Sequence, residues 1–176
     1  MAAEAAAELV EEGMTVGLGT GSTVAYLLPA LARRKLDIYY VATSPVTFDT
    51  AQVLGLRVEA FTGIDHLDIA IDGADQSDPD GWLIKGGGGA HTREKIVASA
   101  SERYVVIVSS NKLVDTLMVP VPSNFWPLVS TLPAVNWATI VSPMRRLVPM
   151  VVFWLVIMDH LTSPPSWHVD CLRRQG

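Results

Sequence analysis

Cysteine is nearly absent from this chain, with Cys171 the only one among 176 residues. A single cysteine excludes an intramolecular disulfide and a multi-cysteine metal site, so the chain reads as intracellular and without redox chemistry of its own. Basic residues are also in deficit. Thirteen Lys and Arg stand against 18 Asp and Glu, for a formal net charge of −5 and a pI near 5.2. That balance argues against nucleic acid and anionic membrane as partners, since both reward a basic surface. No long hydrophobic run is present either. The most apolar stretch, Leu147 to Met158, is twelve residues long and contains Pro149, against the roughly 20 residues a spanning helix needs. The opening MAAEAAAELVEEG holds four glutamates and no Lys or Arg, the wrong charge for a signal peptide and the wrong polarity for an anchor. A cytoplasmic, soluble protein is expected, long enough for one domain with a real core and an appended piece at most.

One absence is local. From Ser123 to Gln175 there is no glycine, glutamate or lysine, while four of the five tryptophans and six of the eleven prolines fall there. Such a segment is not expected to fold with the rest.

Up to about Pro122 the pattern alternates regularly. Helices are expected at 2–12, 22–34, 46–54 and 92–102, and strands at 14–18, 37–42, 57–61, 68–71 and 104–109. Strands such as TVGLG, DIYYVA and YVVIVS are apolar runs with little polar alternation, as when helices cover both faces of a sheet. This predicts an α/β, Rossmann-like layered fold with a mostly parallel sheet. Ligands in such sheets sit outside the carboxyl ends of the strands, where the loops after TVGLG, DIAID and YVVIVS would meet.

Three stretches there carry candidate chemistry. In VGLGTGST, residues 16–23, a strand runs into glycines and then into Ser22 and Thr23 at a helix start. Thr20, Gly21, Ser22 and Thr23 could cradle a phosphate monoester with backbone N–H groups and hydroxyls. A merely tight strand-to-helix turn explains the same residues. The second stretch, IDGADQSDPDGWLIKGGGGAHTREK, sets Asp72 and Asp75 around Gly73 and Ala74, then Lys85 before Gly86, Gly87, Gly88 and Gly89, then Glu94. Either aspartate alone could simply turn the chain, and Glu94 alone could serve the helix dipole. A lysine beside unhindered backbone N–H groups, however, suits a developing oxyanion, and a carboxylate beside it can act as general base. Helix position should depress the Glu94 pKa and burial should raise it. In the third stretch, SSNKLVD, Lys112 would reach the ligand-bearing end of the sheet. His66 and His91 read as surface or supporting residues, and no histidine pair has metal-ligand spacing, so no metal is expected.

GLGTGST, IDGAD, KGGGGA followed by REKIVA, and the strand leading to SNK resemble, in order and spacing, the ribose-5-phosphate isomerase A family over residues 1 to about 122. The resemblance implies an aldose–ketose isomerase interconverting D-ribose 5-phosphate and D-ribulose 5-phosphate through an enediolate, in the non-oxidative pentose phosphate pathway. It makes Glu94 the base between C2 and C1. Asp72, Asp75 and Lys85 would assist ring opening and stabilise the enediolate. Residues 20–23, Gly73, Ala74, the 85–88 loop and Lys112 would complete the substrate pocket. It also implies no metal or organic cofactor, a small sugar phosphate as ligand, and a homodimer or homotetramer. Two other functions are consistent with the fold: a non-enzymatic sugar-phosphate-binding module and an inactive, truncated isomerase.

The chain departs from the family in three places. No lysine precedes Lys35, where the family carries a phosphate-binding lysine on a longer first helix. Ser109, Ser110 and Asn111 replace a usual acidic residue before Lys112. After VPVP the family's C-terminal α+β subdomain is missing or replaced. Joining the third base of each codon to the first two of the next permits VELLAF from Pro122 to Leu128 and DGSVLACDYG from Pro149 to Asp159. Both resemble the missing segments. Residues 1–122 are therefore expected to form the catalytic domain, and residues 123–176 an out-of-frame tail.

Overall fold

The computed structural model describes residues 2–59, 62, 65–118 and 152–156. It opens with helix α1 (Ala2–Glu8), strand β1 (Thr15–Leu18), helix α2 (Val24–Arg34), strand β2 (Tyr39–Ala42), helix α3 (Pro45–Val53) and strand β3 (Arg57–Glu59). Strand β4 (Leu67–Gly73) follows, then a small hairpin of β5 (Gln76–Ser77) and β6 (Leu83–Ile84), helix α4 (His91–Ala100), strand β7 (Ser101–Val108), a 3-10 turn at Ser110–Lys112, and strand β8 (Val152–Val156).

Local chemistry accounts for the element ends. Ser44 caps α3 by accepting from the Thr47 amide at 3.1 Å, with Pro45 in the first turn where its missing N–H costs nothing. Lys35 ends α2 in the left-handed region at φ 54°. Helix α1 is shorter than the expected 2–12, and the carbonyls of Ala7, in its last turn, and of Val10, just beyond it, accept from the Arg34 guanidinium. The β5–β6 hairpin has no counterpart in the sequence expectation, because two-residue strands leave no periodic signal.

The main sheet runs β3-β2-β1-β4-β7-β8, and every neighbouring pair is parallel. Helices α1 and α2 cover one face, burying Val16, Leu18, Ile69, Ile71, Val105 and Ile107 against Leu27 and Leu31. On the other face Val97 of α4 packs with Leu67, Ala70, Tyr104, Val106 and Val108. With both faces covered, the centres of β4 and β7 have no solvent side, which is why Ile69–Ile71 and Tyr104–Val108 are continuous apolar runs.

The 123–176 segment, expected to stand apart, contributes β8, which pairs in parallel with β7 from Tyr104↔Val152 to Val108↔Val156. A run of β-branched and aromatic residues suits the otherwise open outer edge of β7. The rest of that segment lies outside the described residues.

Candidate active site

The chain moves outward from β1 to β3 in one direction and then returns to place β4 on the other side of β1. Parallel sheets open a crevice at such a reversal, outside the carboxyl ends of the two central strands. Thr20 follows β1 and Asp72 lies near the end of β4, so both border this crevice. Strand β4 extends two residues beyond the expected 68–71, which makes Asp72 a strand residue rather than part of the following turn.

Asp72 is 2% exposed and is the hub of the crevice. Its Oδ1 accepts from the amides of Thr20 at 3.1 Å and Gly73 at 2.7 Å. Its Oδ2 accepts from Lys85 Nζ at 2.8 Å and from the Tyr104 hydroxyl at 3.1 Å. Lys85 also donates to the Gly73 carbonyl. Four donors from β1's loop, β4, the glycine loop and β7 thus fix one carboxylate.

The close approach explains Gly19. A Cβ there would lie 1.9 Å from Asp72 Oδ1 and 2.6 Å from Asp72 Cα, and backbone cannot yield that far. Gly19→Ala is expected to destabilise the protein by about 2–4 kcal/mol, as overpacking of a rigid site does. A thermal melt would check it; an unchanged Tm would show that β1 and β4 are less closely fixed than described.

Glu94 sits in the first turn of α4 yet is only 4% exposed. Its nearest cation is Lys85, with Nζ 3.7 Å from Oε2, an ion pair beyond hydrogen-bond distance. Glu94 Oε2 is buried with no hydrogen-bond partner among the described residues. Burial pushes the Glu94 pKa up to about 7; the Asp72 charge, and more weakly Asp75, add to that, while Lys85 opposes it. Of the two opposing influences read from the sequence, burial therefore wins over the helix start. A buried carboxylate near 7, with Oε2 unpartnered and an ammonium beside it, is suited to take and return a proton at neutral pH.

The glycine loop is less open than its sequence implies. Gly87 donates its amide to Asp75 Oδ2 at 2.8 Å, and Gly89 donates to the Gly86 carbonyl at 3.0 Å. This leaves the Gly86 and Gly88 amides without partners among the described residues. Gly86 holds φ at 102°, a conformation that L side chains rarely adopt. Ala74 is buried between the two aspartates.

At the other end of the crevice, α2 begins at Val24 rather than at Ser22, and Thr23 makes no side-chain cap. Among the described residues, the amides of Gly21, Ser22, Thr23 and Val24 have no partner, and Ser22 is exposed. Lys112 reaches this turn, with Nζ 3.5 Å from Thr23 Oγ1. Free amides, two hydroxyls and an ammonium at a helix start are complementary to a phosphate.

Two groups of residues escaped the sequence reading. Thr20 Oγ1 lies 2.9 Å from Thr43 Oγ1 and 3.3 Å from Thr47 Oγ1, and Thr47 in turn donates to the Gly19 carbonyl at 2.9 Å. This hydroxyl chain fixes the turn after β1 from below. The signal was the SPVT cap after β2, which can be read as a helix start but not as a contact with residues 19 and 20. The other is Tyr104, read only as one more apolar strand position. Among the described residues, His66, Asp68 and Glu102 form one grouping with metal-ligand spacing. It is solvent-exposed at the amino ends of β4 and β7, opposite the crevice.

Comparison with known proteins points to one family. The sequence profile of ribose 5-phosphate isomerase A (phosphoriboisomerase A) matches residues 39–132, ten residues past the expected Pro122 boundary. A ribose-5-phosphate isomerase A from Caulobacter sp. (strain K31) is 54% identical over 114 residues, covering 65% of this chain and 50% of that protein. The structure of ribose 5-phosphate isomerase A from Methanocaldococcus jannaschii superposes with a TM-score of 0.62 at 39% identity, over 66% of this chain and 53% of that one. A D-ribose-5-phosphate isomerase in complex with phospho-erythronic acid gives 0.62 at 40%, over 66% and 53%. The chain thus spans about half the length of the relatives it matches. With a profile match over more than half its residues and the same parallel sheet, the chain belongs to the ribose 5-phosphate isomerase A family.

Proposed function

We propose that this protein interconverts D-ribose 5-phosphate and D-ribulose 5-phosphate, with Glu94 as the base. The observation that carries the proposal is the buried Glu94 carboxylate, with a pKa of about 7, beside Lys85 and Asp72. The C2 proton of an open-chain aldose is acidic only because the neighbouring carbonyl can accept the electron pair. Catalysis therefore needs one base and fixed positive or N–H groups at the oxygens. Glu94 removes the C2 proton and the electrons move onto O1. The Lys85 ammonium and the free glycine-loop amides stabilise the enediolate; the O2 hydroxyl proton passes to O1, and as the electron pair on O2 forms the C2 carbonyl the same carboxyl returns its proton to C1. Asp72 holds Lys85 in place, and Asp75 holds the glycine loop through Gly87. Residues 20–23 and Lys112 take the phosphate, with Gly73 and Ala74 lining the sugar site. The similarity to a relative complexed with phospho-erythronic acid, an acid carrying a phosphate group, supports this assignment.

Such a reaction draws on acid–base and electrostatic groups alone, so no metal or organic cofactor is assigned. No helix among the described residues is long and apolar enough to cross a membrane, and with the single cysteine this supports a cytoplasmic enzyme. We assign catalysis to residues 1–122, treat 123–176 as an out-of-frame tail, and assign a homodimer or homotetramer as the working state.

The test is formation of ribulose 5-phosphate from ribose 5-phosphate by the purified chain, run in D2O so that solvent deuterium enters the product. Absence of turnover from a folded chain would overturn the proposal for this molecule. The pH dependence follows from Glu94. Its deprotonated form is the base, so kcat/KM is expected to rise with pH and level off above about 7. A profile flat from pH 5.5 to 8.5 would exclude Glu94 as the base.

A further inference from the structure

Tyr104 is a phenol in surroundings that ask for a hydrocarbon. It is 4% exposed, and it packs with Leu67, Ala70, Ala74, Val97, Val106 and Val108. The polar contact its hydroxyl makes is the bond to Asp72 Oδ2 at 3.1 Å, on the same oxygen that receives Lys85 Nζ at 2.8 Å. Burial, with the Asp72 charge, pushes the phenol well above its ordinary pKa, so it remains a proton donor throughout the working range.

We propose that Tyr104 is a positioning residue: it shares Asp72 Oδ2 with Lys85, keeps the ammonium within reach of Glu94, and so sets the pH at which the base becomes active. This rests on the isomerase reading and adds to it a residue of β7, on the sheet face that α4 covers.

The charged groups around Glu94 are Asp72 on β4, Asp75 after it, and Lys85 before the glycine loop. His91, on α4, also feels Lys85 and Asp72; burial holds its pKa below the ordinary histidine value, so it adds little charge at neutral pH. Lys95 acts on His91 rather than on Glu94. Tyr104→Phe leaves all of these in place and removes one donor. Asp72 Oδ2 then relies on Lys85 alone, which draws the ammonium away from Glu94. More of the Asp72 charge is also left uncompensated at Glu94. Both changes disfavour the Glu94 anion, so its pKa moves in one direction, upward.

The experiment compares the full chain with its Tyr104→Phe variant. The acid limb of kcat/KM is expected to move up by roughly half a pH unit. At pH 7 that shift lowers the deprotonated fraction roughly twofold, so the rate is expected to fall by about that factor, with KM changed less. A tyrosine that only packs would lower Tm and leave the limb where it was, and that result overturns the proposal. A second readout needs no turnover: carbon-13 NMR titration of the Glu94 carboxyl in both folded proteins. If the unsubstituted chain is inactive, the isomerase reading fails by itself, and the titration still decides the role of Tyr104. An upward shift in the variant supports the role, and superimposable curves exclude it.

Discussion

Glu94→Gln is expected to reduce kcat by roughly 10²- to 10⁴-fold, the range in which a positioned general base contributes. Glutamine keeps the shape and polarity of the side chain and cannot take a proton, so KM should change little. The substitution should also alter how stability depends on pH. The folded Glu94 pKa, about 7, lies above the ordinary 4.5. A raised carboxyl stabilises the fold fully below about 4.5, and this contribution is lost as pH rises through 7. The wild-type chain should therefore lose on the order of 2 kcal/mol between pH 4.5 and 8, and the glutamine variant should lose less. Denaturant midpoints at both pH values would measure it. A variant that retains wild-type turnover would remove Glu94 from the mechanism. Parallel pH–stability curves would show that burial does not raise its pKa.

The second large effect is expected from Lys85→Met. Methionine matches the stem of lysine but lacks the ammonium, leaving Asp72 and Glu94 facing each other with Asp75 nearby. Two losses combine. The enediolate loses its cationic partner, worth roughly 10²- to 10³-fold in kcat by analogy with removal of an oxyanion donor. Glu94 also loses the group that opposes its upward shift, so the acid limb should move above its wild-type position near 7. Asp72 keeps three other donors, so the stability cost should fall at the lower end of the roughly 3–5 kcal/mol seen when a buried pair is broken. Kinetics at low temperature across pH 6 to 9 would separate these effects. A loss of kcat with an unmoved limb would mean that Lys85 acts on substrate without influencing the base.

Most of the sheet could be read in advance because its strands are buried on both faces. TVGL, the IAI centre of LDIAIDG and YVVIV are apolar runs separated by helices of ordinary length, and that pattern admits few architectures. The crevice could be read because Asp72 lies near the end of a strand and Asp75, Lys85 and the glycines follow in loops at strand ends, where chemistry-bearing residues have little packing role. What could not be read were contacts across the sheet. Thr43 and Thr47 meet Thr20 across more than twenty positions, and hydroxyls of this kind cap helices far more often than they brace a site. Tyr104 looked like core because most of it is core. The order in which the strands line up, which puts β1 beside β4, follows from the crossovers and not from any residue within the strands.

The segment Gly86–Gly89 is attached differently from the rest of the crevice. Thr20 and Asp72 are anchored by the central strands, whereas this loop is held by the Gly87–Asp75 bond and by its own turn. It buries almost no apolar side chain, so it can open with little disturbance of the core. Its amides should therefore exchange with solvent far faster than those of β4. An occupied crevice should slow them, because an anion bridging Gly86 and Gly88 would hold the loop closed. Part of the intrinsic affinity for any such ligand is then spent ordering glycines, so measured binding will be weaker than the contacts alone suggest.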